Sequence, residues 1–293
     1  MTCCPSSESE KGADAGERSL SRTSALYAAG ERWTVFRGDS LRVLPMLDRV
    51  DAVITDPPYS SGGAMRGDRT RAPSRKYLGT GGDYLPQFAG DNRDGRAFLT
   101  WSALWLSACL DLAAPGAILC VFTDWRQLPT TTDAVQAAGW IWRGVIPWIK
   151  PAARPQRGRF ASASEFIVWG SAGPMAADGP CHPGYHIGMA PHARDNREHI
   201  TQKPLDLLDM LVAAAPPGGL VLDPFLGSGT TGVAAINSGR RIVGIERVDE
   251  HAALAARNLA EAETGFSQGR GRQLALGPVS EAAGLCTGDA SGE

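Results

Sequence analysis

The sequence has no long apolar run. Its longest, such as Ala117 to Phe122, are far too short to cross a bilayer, and Met1 to Ala15 carries no apolar stretch, so neither a membrane span nor a signal peptide is expected. It also has no excess of either charge. The 29 Lys and Arg residues nearly balance 31 Asp and Glu, for a net charge of -2. That excludes a uniformly basic coat but leaves room for a local basic face. Cysteine is sparse, with six residues and no Cys-x-x-Cys pair; Cys109 and Cys120 sit in apolar runs. This excludes a disulfide scaffold and predicts a reduced, cytoplasmic protein. Cys181, His182, His186 and His192 match no zinc spacing, so no metal is expected.

What remains is ample for one large α/β domain, since 43% of 293 residues are hydrophobic. Residues 1–24 are polar and read as a disordered leader, and 264–293 as a Gly/Ala/Ser-rich disordered tail. Between them, 25–263 alternates strands and helices. Strands are predicted at Ala52–Thr55, Ala117–Phe122, Trp140–Ile149, Glu165–Trp169, Leu220–Leu222 and Arg241–Ile245. Helices are predicted at Phe98–Leu112, Leu128–Ala138, Leu205–Ala215, Thr230–Ser238 and Asp249–Ala262, with Pro115-Gly116 breaking the chain before the second strand. Such alternation implies a mostly parallel, doubly wound sheet. Trp101, Trp105, Trp140, Trp142 and Trp148 are assigned to its core. Two stretches, 60–96 and 171–200, lack periodicity and are too long for ordinary connections.

Two segments carry chemistry. The run Asp223-Pro224-Phe225-Leu226-Gly227-Ser228-Gly229-Thr230-Thr231 reads as a strand end, a tight glycine turn and a helix start. Gly227, Gly229 and Gly232 satisfy Gly-x-Gly-x-x-Gly, and Glu246 follows at the next strand end, so an NAD-dependent dehydrogenase has to be weighed. A helix-capping turn without a ligand is the plainer alternative. Asp223 argues against a pyrophosphate, which its carboxylate would repel. It suits the ammonium of an amino-acid cofactor, and S-adenosylmethionine (SAM) has that ammonium, ribose hydroxyls for Glu246, and no phosphate.

The second segment is Asp56-Pro57-Pro58-Tyr59, at the carboxyl end of a buried strand, where open parallel sheets bind ligands. The prolines stiffen the backbone and aim a carboxylate and a carbonyl at one point. An exocyclic base amine is a weak nucleophile because its lone pair is delocalised into the ring. Two acceptors on its N–H groups, Asp56 and the Pro57 carbonyl, would free that lone pair. Tyr59 offers a face on which an extruded base can stack.

Along the chain Asp56-Pro57-Pro58-Tyr59 comes first, then Thr201-Gln202-Lys203-Pro204, then Asp223 to Thr231, then Gly244-Ile245-Glu246; with its motifs in this order the sequence resembles the β-class amino-methyltransferases of DNA over roughly Trp33 to Ala262. The resemblance implies a Rossmann-like SAM-dependent methyltransferase fold with permuted motif order. It implies that Asp223, Phe225, Gly227, Ser228, Gly229 and Thr230 line the SAM pocket. Glu246 would hold the ribose, Thr201 and Lys203 would reach the methionine carboxylate, and Asp39 in Gly38-Asp39-Ser40 would lie near the adenine. In that family Asp at the first motif position goes with adenine-N6 and Ser with cytosine-N4, so adenine is expected and cytosine-N4 is the alternative.

The implied partner is double-stranded DNA. Arg66, Arg69, Arg71, Arg75 and Lys76 follow Tyr59 directly, in the loop 60–96. Lys150, Arg154, Arg157 and Arg159 form a second basic group, and Arg194 and Arg197 lie in 171–200. All are candidate phosphate contacts. The stretch 171–200 is the candidate target-recognition region. It is short for that task, so a homodimer is expected to complete the readout.

Overall fold

The computed structural model describes residues 25–59, 93–153, 157–158, 160–176, 179–189 and 203–268. Nine strands form one sheet: β1 (Leu26–Ala29), β2 (Trp33–Arg37), β3 (Val50–Thr55), β4 (Ala113–Thr123), β5 (Ile141–Ile149), β6 (Ser164–Ser171), β7 (His186–Ile187), β8 (Leu220–Asp223) and β9 (Arg241–Glu246). Their order across the sheet is β1-β2-β9-β8-β3-β4-β6-β5-β7. The centre, β2-β9-β8-β3-β4, is parallel throughout. Antiparallel pairing enters at β1 on one flank and at β6 on the other. The doubly wound, mostly parallel sheet read from the sequence is thus present, with a mixed half.

The helices are α1 (Ser40–Val43), α2 (Gly95–Leu112), α3 (Leu128–Ala137), α4 (Leu205–Val212), α5 (Thr230–Asn237) and α6 (Asp249–Ser267). Period-two alternation in the central strands sends side chains to opposite faces. Ala52 and Ile54 of β3 face α4, α5 and α6, through Leu207, Leu211, Ala234, Ala255 and Leu259. Val53, between them, faces Trp105, Leu106 and Cys109 of α2 and Ala134 and Val135 of α3. Helices cover both faces, as a buried parallel sheet requires. None of the described helices is long and apolar enough to cross a membrane.

Several expectations are corrected. Pro115-Gly116 does not end an element. It lies inside β4, where the pairing jumps from Val50↔Ala113 to Ala52↔Ile118 and Gly116 takes a φ of 78°. The breaker residues make a bulge, and the ladder resumes beyond it. Helix α2 begins at Gly95, so the irregular stretch expected at 60–96 overruns by two residues; 60–92 lie outside the described residues. The stretch 171–200 begins on the last residue of β6 and holds the edge strand β7. The tail expected from 264 begins inside α6, because Phe266 packs on the core under the Arg32 guanidinium, 4.5 Å from its ring centroid. Trp142 is not core; it is 43% exposed, while Trp105, Trp140 and Trp148 are buried and Trp101 is half-buried. Strands β1 and β2, which carry no motif, are additions.

Gly232 sits where α5 crosses α6 and β9. A Cβ there would lie 2.4 Å from Leu259 Cδ2 and 3.2 Å from Ile242 Cγ2. Both neighbours are buried and cannot yield freely. Gly232→Ala is expected to cost about 1–3 kcal/mol. A thermal melt would show it as a fall of about 2–4 °C per kcal/mol.

Candidate active site

The parallel order reverses between β8 and β3, the crevice where doubly wound sheets bind ligands. The register Ala52↔Val221 and Val53↔Leu222 brings the ends of these strands together. Thr55, the last residue of β3, donates its hydroxyl to Asp223 Oδ1 at 2.7 Å. Asp56 and Asp223, 167 positions apart by numbering, therefore open on one crevice.

On the β3 side, Asp56 is held at both oxygens. The Tyr59 hydroxyl donates to Oδ1 at 2.5 Å, and the Lys203 ammonium lies 2.7 Å from Oδ2. Lys203 also donates to the Tyr59 hydroxyl at 3.0 Å and stands 3.5 Å from Glu165 Oε2. Lys150 hydrogen-bonds the other oxygen of Glu165 and rests over the Trp148 ring. The result is a row of alternating charge, Asp56, Lys203, Glu165, Lys150. Burial pushes the Asp56 carboxyl above its ordinary value, with Lys203 pulling the other way. Burial opposes charge on Lys203 and on Glu165 as well. For both, the oppositely charged neighbours prevail: Lys203 is raised, and Glu165 is lowered by Lys203 and Lys150. Burial, and then the Asp56 and Glu165 charges, hold the Tyr59 phenol well above its usual range.

On the β8 side, Asp223 is buried and its carboxyl is pushed up to about 6 by desolvation. Thr55, Thr231 and the Phe225 N–H hydrogen-bond it and pull downward, but no described cation does so. Gly227 and Gly229 take left-handed φ values of 54° and 83°, which close the turn ahead of α5. A Cβ on Gly229 would sit 3.2 Å from Ala255 Cα. Ser228 and Thr230 share a hydroxyl contact at 3.2 Å, and Asn258 donates to the Ser228 carbonyl. Phe225 is half-buried and meets Trp105 edge-on at 5.1 Å between centroids. At the end of β9, Glu246 accepts from Gly227 N through Oε2, and from Arg247 N and Val248 N through Oε1. Gly38 N donates to the Glu246 carbonyl, so the end of β2 delivers Asp39 beside it; Asp39 caps α1 by accepting from Leu41 N.

Of the other expected site residues, Pro57 is buried and Pro58 half-buried, and Arg157 is exposed. Lys203 and Lys150 are placed in the charge row. Thr201, Arg66, Arg69, Arg71, Arg75, Lys76, Arg154, Arg159, Arg194 and Arg197 lie outside the described residues. Two contributors escaped the sequence reading, Thr55 and Glu165. Thr55 was legible only as a strand residue. Glu165, a charge opening an apolar strand, was the single cue to its row.

A family model described as DNA methylase, for N6 and N4 methyltransferases, matches residues 50–177 and 185–257. This chain belongs to that family. It is a β-class amino-methyltransferase of DNA, and the dehydrogenase alternative for its glycine turn falls away. Among its relatives is the type II methyltransferase M.HinfI of Haemophilus influenzae, 26% identical over 262 residues, covering 78% of this chain and 68% of that protein. The M1.HpyAVI–SAM complex shares the fold at TM-score 0.58 and 22% identity, covering 78% of this chain and 98% of the other. The cytosine-N4-specific PvuII DNA methyltransferase does so at 0.58 and 15%, covering 82% and 94%.

The donor set of this methylase fits SAM. Asp223 is a buried carboxylate without a described cationic partner, which an ammonium would supply. Glu246 Oε2 has one described N–H donor and retains a lone pair for a ribose hydroxyl. Two opposite pH effects follow from Asp223. Burial holds its folded pKa above that of an ordinary aspartate, so the stability it contributes at low pH is lost as pH rises through about 6. Cation binding runs the other way, because it needs the ionised form. SAM affinity should hold above about pH 7 and weaken by up to about tenfold per unit below about pH 6, measured by equilibrium titration. Asp223→Asn should bind SAM weakly at every pH, yet melt higher than the parent when ligand-free at about pH 8, by on the order of 2–3 kcal/mol.

Proposed function

We propose that the protein transfers a methyl group from SAM to N6 of adenine in double-stranded DNA, with the target base rotated out of the helix. The observation that carries this reading is the placement of Asp56 at the end of β3, beside the β8 glycine turn, within Asp-Pro-Pro-Tyr. When bound, SAM supplies an electrophilic methyl on a sulfonium. Asp56 and the Pro57 carbonyl accept the two amine N–H groups and localise the nitrogen lone pair toward that methyl. The surplus proton of the methylated amine would pass to Asp56. Tyr59 stacks on the base, which must leave the duplex to reach a crevice. Asp rather than Ser at the first position supports adenine. Cytosine-N4, the base named for the PvuII enzyme, is the other amine this chemistry serves.

The test is incubation with methyl-labelled SAM and diverse genomic DNA, followed by digestion and identification of the labelled nucleoside. N6-methyladenine is expected. N4-methylcytosine would overturn the base assignment alone, and no labelled base would overturn the function. Asp56→Ala should lower the rate by at least about 10²–10⁴-fold, the scale of a positioned acid–base group.

The basic loop after Tyr59 is assigned here to the phosphates flanking the extruded nucleotide, and 171–200 to base contacts, with a second copy of the chain completing the site. Replacing Arg69, Arg71 and Arg75 together with Ala should flatten the slope of log affinity against log salt by up to about 0.9 per lost contact. An unchanged slope would remove these residues from the interface. Light scattering at working concentration checks the dimer.

A further inference from the structure

Both oxygens of Asp56 are engaged by the protein itself, one by the Tyr59 hydroxyl and the other by the Lys203 ammonium. A base amine that is to donate to this carboxylate has to compete with them. Tyr59 can turn away when its ring stacks on the base. Lys203 has no such exit to solvent, because it is only 8% exposed. An ammonium withdrawn from its carboxylate in a buried place costs several kcal/mol unless another anion receives it.

That anion is present. Glu165 Oε2 is buried, has no hydrogen bond of ordinary geometry, and is already loosely paired with the Lys203 nitrogen at 3.5 Å. The other Glu165 oxygen is anchored by Lys150. A shift of less than about an ångström would bring the ammonium to an ordinary charged hydrogen-bond distance of about 2.8 Å. The lysine keeps a paired charge throughout the movement, and Asp56 gains a free lone pair.

We propose that Glu165 is a positioning residue that receives the Lys203 ammonium when the substrate amine takes its place on Asp56. The inference rests on the reading of Asp56 as the acceptor of that amine. It assigns the row Asp56–Lys203–Glu165–Lys150 a function in exchanging partners. Lys203 is thereby a two-position group: on Asp56 in the resting enzyme, on Glu165 when the base is in place.

Among the described residues, the charged and titratable groups that bear on Asp56 are Lys203 ahead of α4, Tyr59, Glu165 on β6 and Asp223 on β8. Tyr59 is further influenced by Asp124 beyond β4, and Glu165 by Lys150. Removing the Glu165 charge has two consequences of the same sign for Asp56. It deletes a repulsive neighbour that holds the carboxyl up, and it leaves Lys203 with Asp56 as its one carboxylate partner in the row.

The test is single-turnover methylation by Glu165→Gln, after the nucleoside made by the parent enzyme has been identified. Whether that base is adenine or cytosine, the comparison stands, since both amines need Asp56; failure of the parent to methylate DNA would instead strike the functional reading. Glu165→Gln is expected to slow the step by roughly ten- to hundredfold, the scale of one lost charged hydrogen bond. The acidic limb of its rate–pH profile should move to lower pH, while its SAM affinity stays that of the parent. In a Lys203→Gln background, adding Glu165→Gln should cost nothing further, because the group it receives is gone. An unchanged rate, a limb that stays or moves to higher pH, a fall in SAM affinity matching the fall in rate, or losses that multiply in the double variant would each overturn the proposal.

Discussion

The pairing of β3 with β8 is the constraint on which the site depends. Two residues of each strand are in direct register, and the Thr55 hydroxyl closes the pair by donating to Asp223. Asp56 stands one residue beyond Thr55. Asp223 is the acceptor of the Thr55 hydrogen bond. A slip of β3 by one residue would turn Thr55 out of the crevice and exchange the faces of Ala52, Val53 and Ile54. Helices packed on both faces of β3 oppose that slip, so the core holds the register and the register holds the chemistry.

The buried charges above this pairing act on the fold in opposite directions. Asp56 and Asp223 are both pushed upward by desolvation, and Asp223 has no described cation to compensate. Lys203 and Glu165 are kept charged only by one another and by their neighbours in the row. Buried ion pairs seldom outperform apolar residues of the same volume as stabilisers.

The segments legible in the sequence were those whose chemistry is local. Asp56 to Tyr59 and Asp223 to Thr231 each combine a strand end, a stiff or left-handed backbone and a carboxylate within a few residues. What escaped was set by contacts between distant segments. Glu165 acquires its meaning from Lys150 across the β5–β6 ladder and from Lys203 across the sheet. The last turn of α6 exists because Phe266 and Glu263 meet Arg32, although Gly265 alone argues for a tail. Pro115-Gly116 reads locally as a break and is absorbed as a bulge because β3 and β6 pair on either side of β4. Trp142 reads as core by composition and is left outside where β5 and β6 lose register between Trp142 and Gly144.

The antiparallel half of the sheet has a consequence of its own. In the parallel half, segments reach the crevice only by leaving a strand. Because β6 runs against β4, with Thr123 opposite Phe166, its first residues lie beside the last of β4, and the end of β5 lies there too. The described ends of the β5–β6 connection, Lys150 and Ala163, therefore lie at that same edge of the sheet, joined by the hydrogen bond from Lys150 N to the Ala163 carbonyl. Such a hairpin can lengthen, shorten or change its sequence without altering the alignment of β3 and β8. The fold thus separates the part of the edge whose alignment joins Asp56 to Asp223 from a part whose length and sequence can vary without disturbing that alignment.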